Sequence, residues 1–198
     1  MNRKLSLAAV IVLGLFSCAS RQETTTLQAS PPALSTAPVG ETYRVKRVAD
    51  GDTITAVDGR NRDVKIRFAC TDSPEVSHTK RERESYDPAD LNQFRWGKQA
   101  RDRLTQLIEQ GGDRVAVTVV DEDRYGRRVA EVRLPNGTLV QEVLAREGLA
   151  VFYQKYAGNC RSAAVVEQAE AQAKQQRAGV WGDSQFTLPW QWRHGRKL

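Results

Sequence analysis

A small, β-rich α+β domain, a five-stranded barrel carrying three α-helices, is the fold class this sequence predicts, and three observations predict it. The chain has 198 residues, 40% of them hydrophobic, enough for one compact core with appendages but not for two full domains. Between residues 43 and 133, short segments alternate apolar and polar side chains, which is the periodicity of half-buried strands. Two further segments carry apolar residues at helical spacing and a third is rich in alanine and glutamine, and each runs into glycine.

The N-terminal part stands apart from that domain. Asn2-Arg3-Lys4 is a positive n-region, and Leu5 to Phe16 is an apolar run too short to serve as a mature anchor, so residues 1–17 read as an export signal. Leu15-Phe16-Ser17-Cys18 resembles a bacterial lipobox, in which Cys18 is lipidated and becomes the new N-terminus; ordinary cleavage near Ala19-Ser20 is the alternative. The expected product is an exported bacterial protein. It would be tied to a membrane of the cell envelope through its N-terminal lipid, or otherwise be periplasmic or secreted. Loss of residues 1–17 removes Arg3 and Lys4 and no acid, lowering the formal charge from +6 to +4. Residues 18–40, rich in Ser, Thr, Ala, Pro and Gln, have the composition of a flexible linker. The folded domain is expected over residues 41–182, with 183–198 as a C-terminal tail.

Within the domain, Tyr43–Val48, Thr53–Val57 and Val64–Cys70 read as a meander of three strands, with Asp58-Gly59 as the turn between the second and third. Val115–Val120 and Arg128–Arg133 bring the count to five, and Pro135-Asn136-Gly137 closes the last. Ala100, Leu104, Leu107 and Ile108 form one helical stripe ended by Gly111-Gly112. Leu139, Val140, Val143 and Leu144 form a second, stopped by Gly148, and residues 162–178 a third, stopped by Gly179. Residues 79–95, with Lys80, Arg81, Arg83 and several acids, read as a loop beside the acidic stretches at residues 50–53 and 72–75, either gating or holding substrate or merely solvated.

The chemistry sits in two acidic stretches of an otherwise basic chain: Asp50-Gly51-Asp52-Thr53, and Asp72-Ser73-Pro74-Glu75 preceded by Arg67. A basic balance favours a polyanionic partner or an anionic surface. Carboxylates gathered inside such a surface repel both the substrate and each other unless a hard divalent cation lies between them. Taken singly, the first stretch is an ordinary polar turn and the second an ordinary helix or loop entry. The joint spacing argues for a site, because it puts Arg67 on a strand and the acids on the loop leaving it. His78 and His194 belong to no histidine-nuclease pattern and read as surface residues.

In order along the chain, these motifs are followed by Asp123-Arg124-Tyr125-Gly126-Arg127, Glu147-Gly148-Leu149-Ala150, Glu170-Ala171-Gln172-Ala173-Lys174 and the ending Pro189-Trp190-Gln191-Trp192-Arg193. That series resembles the staphylococcal nuclease (thermonuclease) family over residues 43–181. The resemblance implies an OB-fold barrel of five strands with three helices, monomeric and without an obligate protein partner. The implied activity is a calcium-dependent endonuclease acting on DNA and RNA. It implies Asp52 and Asp72 as Ca2+ ligands with the backbone carbonyl of Ser73, where the family more often has threonine. Glu75 would be the general base for the attacking water or its positioning group, and Arg67 and Arg127 the phosphate-binding guanidiniums. Tyr125 and Tyr156 would line the nucleotide pocket, with Tyr153 competing with Tyr156 for that role or either one simply packing. With Cys18 assigned to the lipobox, Cys70 and Cys160 remain, either as a disulfide bracing two walls of the pocket or as two unpaired thiols. Two other classes are a catalytically inert OB-fold lipoprotein that binds nucleic acid, and an adhesive lipoprotein with a basic face. Neither needs Asp52, Arg67, Asp72, Glu75 and Arg127 together.

Overall fold

The computed structural model describes residues 40–195, so the export signal, Cys18 and the linker up to residue 39 lie outside the described residues. The barrel forms from β1 (Glu41–Val48), β2 (Thr53–Val57), β3 (Asp63–Phe68), β5 (Arg114–Glu122) and β6 (Arg128–Arg133), in the closed order β1-β2-β3-β6-β5. All neighbours are antiparallel except β3 and β6, which run parallel with Arg67 opposite Val129. Alternation fills the interior: Tyr43, Val45, Ile54, Ala56, Ile66, Phe68, Val115, Val117, Ala130 and Val132 point inward and are buried. A two-stranded sheet, β4 (Thr71–Asp72) with β7 (Val151–Phe152), extends the fold beside it.

The long helix α2 (Pro88–Gln110) buries Trp96, Ala100, Leu104, Leu107 and Ile108 in the same core as the barrel interior. Its start is written in the sequence: Asp87 accepts from the Ala89 N–H at 2.8 Å, and Pro88 takes the first turn, where no N–H partner is needed. Its end falls at Gly111, with Gly112 at φ 65°. Helices α3 (Val140–Arg146) and α4 (Ala163–Gln176) frame a second cluster that contains Ala69, Leu139, Ala145, Val166 and Ala169 with the bonded pair Cys70–Cys160.

The five strands and the barrel match the expected fold class, but the helix count differs. Among the described residues there are five α-helices, because α1 (Lys80–Arg83) and α5 (Pro189–Gly195) add to the three read from the sequence. Residues 79–95 are therefore not a loop. Thr79 Oγ1 accepts from Glu82 N and Glu82 Oε2 accepts from Thr79 N, a reciprocal cap that holds one helical turn, and α2 begins soon after. The third strand stops at Phe68 instead of Cys70, since Cys70 takes a left-handed φ of 64° and the chain turns into β4. Helix α4 stops at Gln176 because Arg177 itself adopts φ 53°, ahead of the glycine expected to end it.

Candidate active site

The turn between β1 and β2 carries Asp50 and Asp52. Gly51 lies between α2 and the chain after β4: a Cβ there would stand 2.6 Å from Ala100 Cβ and 2.8 Å from Ser73 Cβ, so a larger residue would push the turn outward. The backbone pins Asp52 on both sides, with its N–H donating to Asp50 Oδ1 at 3.0 Å and its carbonyl accepting from Phe68 N at 2.8 Å. Its carboxylate accepts from the Ser73 N–H at 2.6 Å and the Thr53 hydroxyl at 3.2 Å. The structure thus ties Ser73 to the cluster by its amide.

Arg67, at the end of β3, is largely buried and spans the two aspartates. Its Nη1 lies 3.0 Å from Asp52 Oδ2 and its Nη2 2.7 Å from Asp72 Oδ1. Nη1 also donates to the carbonyls of Phe68 at 3.1 Å and Thr71 at 3.0 Å. Pairing of β4 with β7 fixes Asp72 opposite Val151.

Glu75 follows on the loop after β4. Its carbonyl lies so close to α2 that a Cβ on Gly97 would come within 2.0 Å of it, and with its amide turned to satisfy both neighbours Gln93 of the same helix accepts the Glu75 N–H at 3.2 Å and donates to Thr187 O at 3.2 Å. A partner absent from the sequence-based site set meets the Glu75 side chain. Arg193, on α5, donates through Nη1 to Glu75 Oε1 at 2.5 Å and through Nη2 to Asp72 Oδ2 at 2.5 Å. Asp50 also lines the cleft and was not in that set, although it shares the motif of Asp52.

These residues line one cleft of about 880 Å³. Arg127 lies on the same cleft, on the turn between β5 and β6, where Asp123 Oδ2 accepts from its Nε at 2.7 Å. Of the aromatic residues, Tyr125 is 68% exposed and Tyr156 60% exposed, whereas Tyr153 stacks on Trp190 at 4.6 Å and forms wall. All three line the cleft; the Arg124 and Arg127 guanidiniums lie 4.8 and 5.7 Å from the Tyr125 ring centroid, and Tyr156 meets Tyr153 edge-on at 5.0 Å. Cys70 and Cys160 are joined, with Cα atoms 5.9 Å apart, tying the β3–β4 turn to the segment after Tyr156. His78 is exposed and outside the cleft; His194, also exposed, lies on its margin.

Negative charge is in excess. Burial, followed by the neighbouring Asp52 charge, pushes the Asp50 carboxyl up to about 7. Burial also raises Asp72, to about 6, against the opposing pull of Arg67. Burial works against charge on Arg67, yet Asp52, Asp72 and Asp50 outweigh it and its pKa lies above the ordinary value. Two guanidiniums therefore leave the acids incompletely balanced, and the donors they present are all hard carboxylate oxygens, the type that suits calcium or magnesium. Among the described residues, no three His, Cys, Asp or Glu side chains already stand as a metal cage, since Arg67 and Arg193 lie between the acids.

The sequence model described as staphylococcal nuclease homologue matches residues 65–183, more than half of the chain. An Escherichia coli protein named "Uncharacterized endonuclease" is 34% identical over 151 residues, covering 76% of this chain and 84% of that protein. The "Micrococcal nuclease" of Shigella flexneri is 32% identical over 161 residues, 77% of this chain and 80% of its own. The "Endonuclease YhcR" of Bacillus subtilis is 34% identical over 154 residues, 75% of this chain but 12% of that longer protein. With the barrel, the order of its motifs and these matches in agreement, the chain belongs to the staphylococcal nuclease family.

Proposed function

We propose that this chain is a calcium-dependent endonuclease that hydrolyses the phosphodiester bonds of DNA and RNA by attack of water, acting from an N-terminal lipid anchor at Cys18. The observation that carries the reading is the bracket of Asp52 and Asp72 around Arg67 on a cleft that also holds Glu75 and Arg127. The names of the relatives, endonuclease and micrococcal nuclease, support it.

Asp52 and Asp72 are the side chains that would hold calcium, with the Ser73 carbonyl as a further oxygen donor. Bound there, the ion would supply Lewis-acid polarisation of the phosphate and a fixed place for the attacking water. Glu75 accepts or directs the proton of that water. Arg127 is positioned by Asp123 on the opposite wall, with donors fixed in a plane that suits two phosphate oxygens. Arg67 keeps the aspartates together and puts positive charge near the place where negative charge builds on the phosphate oxygens. Tyr125 and Tyr156, exposed at the cleft, offer rings on which bases can stack without sequence preference.

Digestion of denatured DNA and of RNA tests this directly. Both are expected to be cut in millimolar calcium and left intact when a chelator is added. Cleavage that continues unchanged in chelator contradicts the metal assignment.

A further inference from the structure

The acid cluster has a counter-ion of its own that the chemistry above does not use. Arg193 puts both terminal nitrogens on carboxylates, Nη2 on Asp72 and Nη1 on Glu75, with a third contact of 3.3 Å from Nη1 to Asp72 Oδ1. The guanidinium reaches the cleft from the far end of the chain. Three contacts seat the helix that carries it: Trp192 Nε1 donates to Asp90 at 3.0 Å, the Trp192 ring meets Phe94 edge-on at 5.6 Å, and Trp190 stacks on Tyr153. The side chain is 37% exposed, so it can swing into solvent by rotation while α5 stays docked.

We infer that Arg193 is an internal cation that competes with the divalent metal for Asp72 and masks Glu75, latching the site until metal displaces it. The inference rests on the metal-dependent reading above. With both terminal nitrogens on Asp72 and Glu75, the Arg193 guanidinium is directed at the carboxylates. Its one charge also meets the same excess of negative charge that a divalent ion would. Removing it therefore leaves acids that bind a metal without first giving up charge-assisted hydrogen bonds, each of which is among the stronger contacts a protein makes. The effect on a structural counter-ion would have the opposite sign: loss of Arg193 would disorder the acids and weaken metal binding.

Calcium affinity, measured by titration calorimetry on the full protein and on Arg193→Ala and Trp192→Phe, reads this without catalysis. Arg193→Ala is expected to bind calcium roughly ten- to a hundredfold more tightly. Trp192→Phe, which keeps the ring but loses the bond to Asp90, should shift affinity the same way by less. Calcium-stimulated cleavage together with equal or weaker binding by Arg193→Ala overturns the latch and leaves the nuclease reading in place. Absence of calcium binding in all three, with cleavage that ignores chelator, overturns both.

Discussion

Arg67 faces two buried carboxylates at 3.0 and 2.7 Å, while Arg127 faces one partly exposed carboxylate at 2.7 Å on the cleft's other side. The same residue type thus has two physical jobs. Removing Arg67 leaves Asp52 and Asp72 buried without their shared partner, and Arg67→Ala is expected to lower unfolding free energy by about 3–5 kcal/mol. Removing Arg127 breaks a more solvated pair, and Arg127→Ala should cost about 1 kcal/mol or less. Both should depress turnover, by roughly a hundredfold or more. Urea denaturation of the two variants checks the contrast, and equal losses of stability would contradict it. Arg67, Asp72 and Glu75 were legible because they sit within one short stretch, where a strand followed by a loop fixes their relation. Arg193 was not: it was visible only as part of a tail motif, and nothing local shows that it returns to Glu75 across 118 positions.

Among the elements, the C-terminal segment departs most from the tail expected of residues 183–198, because it packs against α2. Asp183 Oδ2 accepts from Trp96 Nε1 at 2.8 Å, Asn92 Nδ2 at 2.7 Å and Arg95 Nη2 at 2.6 Å, and Oδ1 accepts from Gln185 N at 3.0 Å. These donors, Trp96 foremost, hold the Asp183 carboxyl down at about 2. A carboxyl depressed on folding contributes stability that is full above its unfolded pKa, about 3.9, and that drains away as pH falls through the folded value. Melting temperature of the wild type should therefore drop between pH 4 and pH 2 more steeply than that of Asp183→Asn. Parallel curves would show that the contact does not anchor the segment. Periodicity found two of the helices and an alanine- and glutamine-rich composition a third, but α1 and α5 carry neither signal and escaped both. For α1 a signal did exist, the Thr79…Glu82 spacing of a reciprocal cap. For α5 the information lies in what Trp192 and Trp190 touch, which only tertiary structure reveals.

Across the whole molecule, closure of the barrel brings three separated stretches to one cleft. The parallel pairing of β3 with β6 sets Arg67 opposite Val129, two residues from Arg127, and the β1–β2 turn delivers Asp50 and Asp52 beside them. The bond between Cys70 and Cys160, 90 residues apart, and the β4–β7 pairing bring in the wall that bears Tyr153 and Tyr156. The five-stranded architecture was legible from alternation and turns, since each strand must bury one face whatever its neighbours are. The pairing of β4 with β7 was not, because each strand is two residues long and carries no periodicity. The central claim is that side chains from these stretches act as one unit on one phosphate. A double-mutant cycle in kcat/KM with Glu75→Gln and Arg127→Ala, on single-stranded DNA in calcium, tests it most directly. Each single change should lower kcat/KM by roughly a hundredfold or more, and the double change by far less than the product of the two. Losses that multiply in full, or a single variant as active as the wild type, would contradict the account.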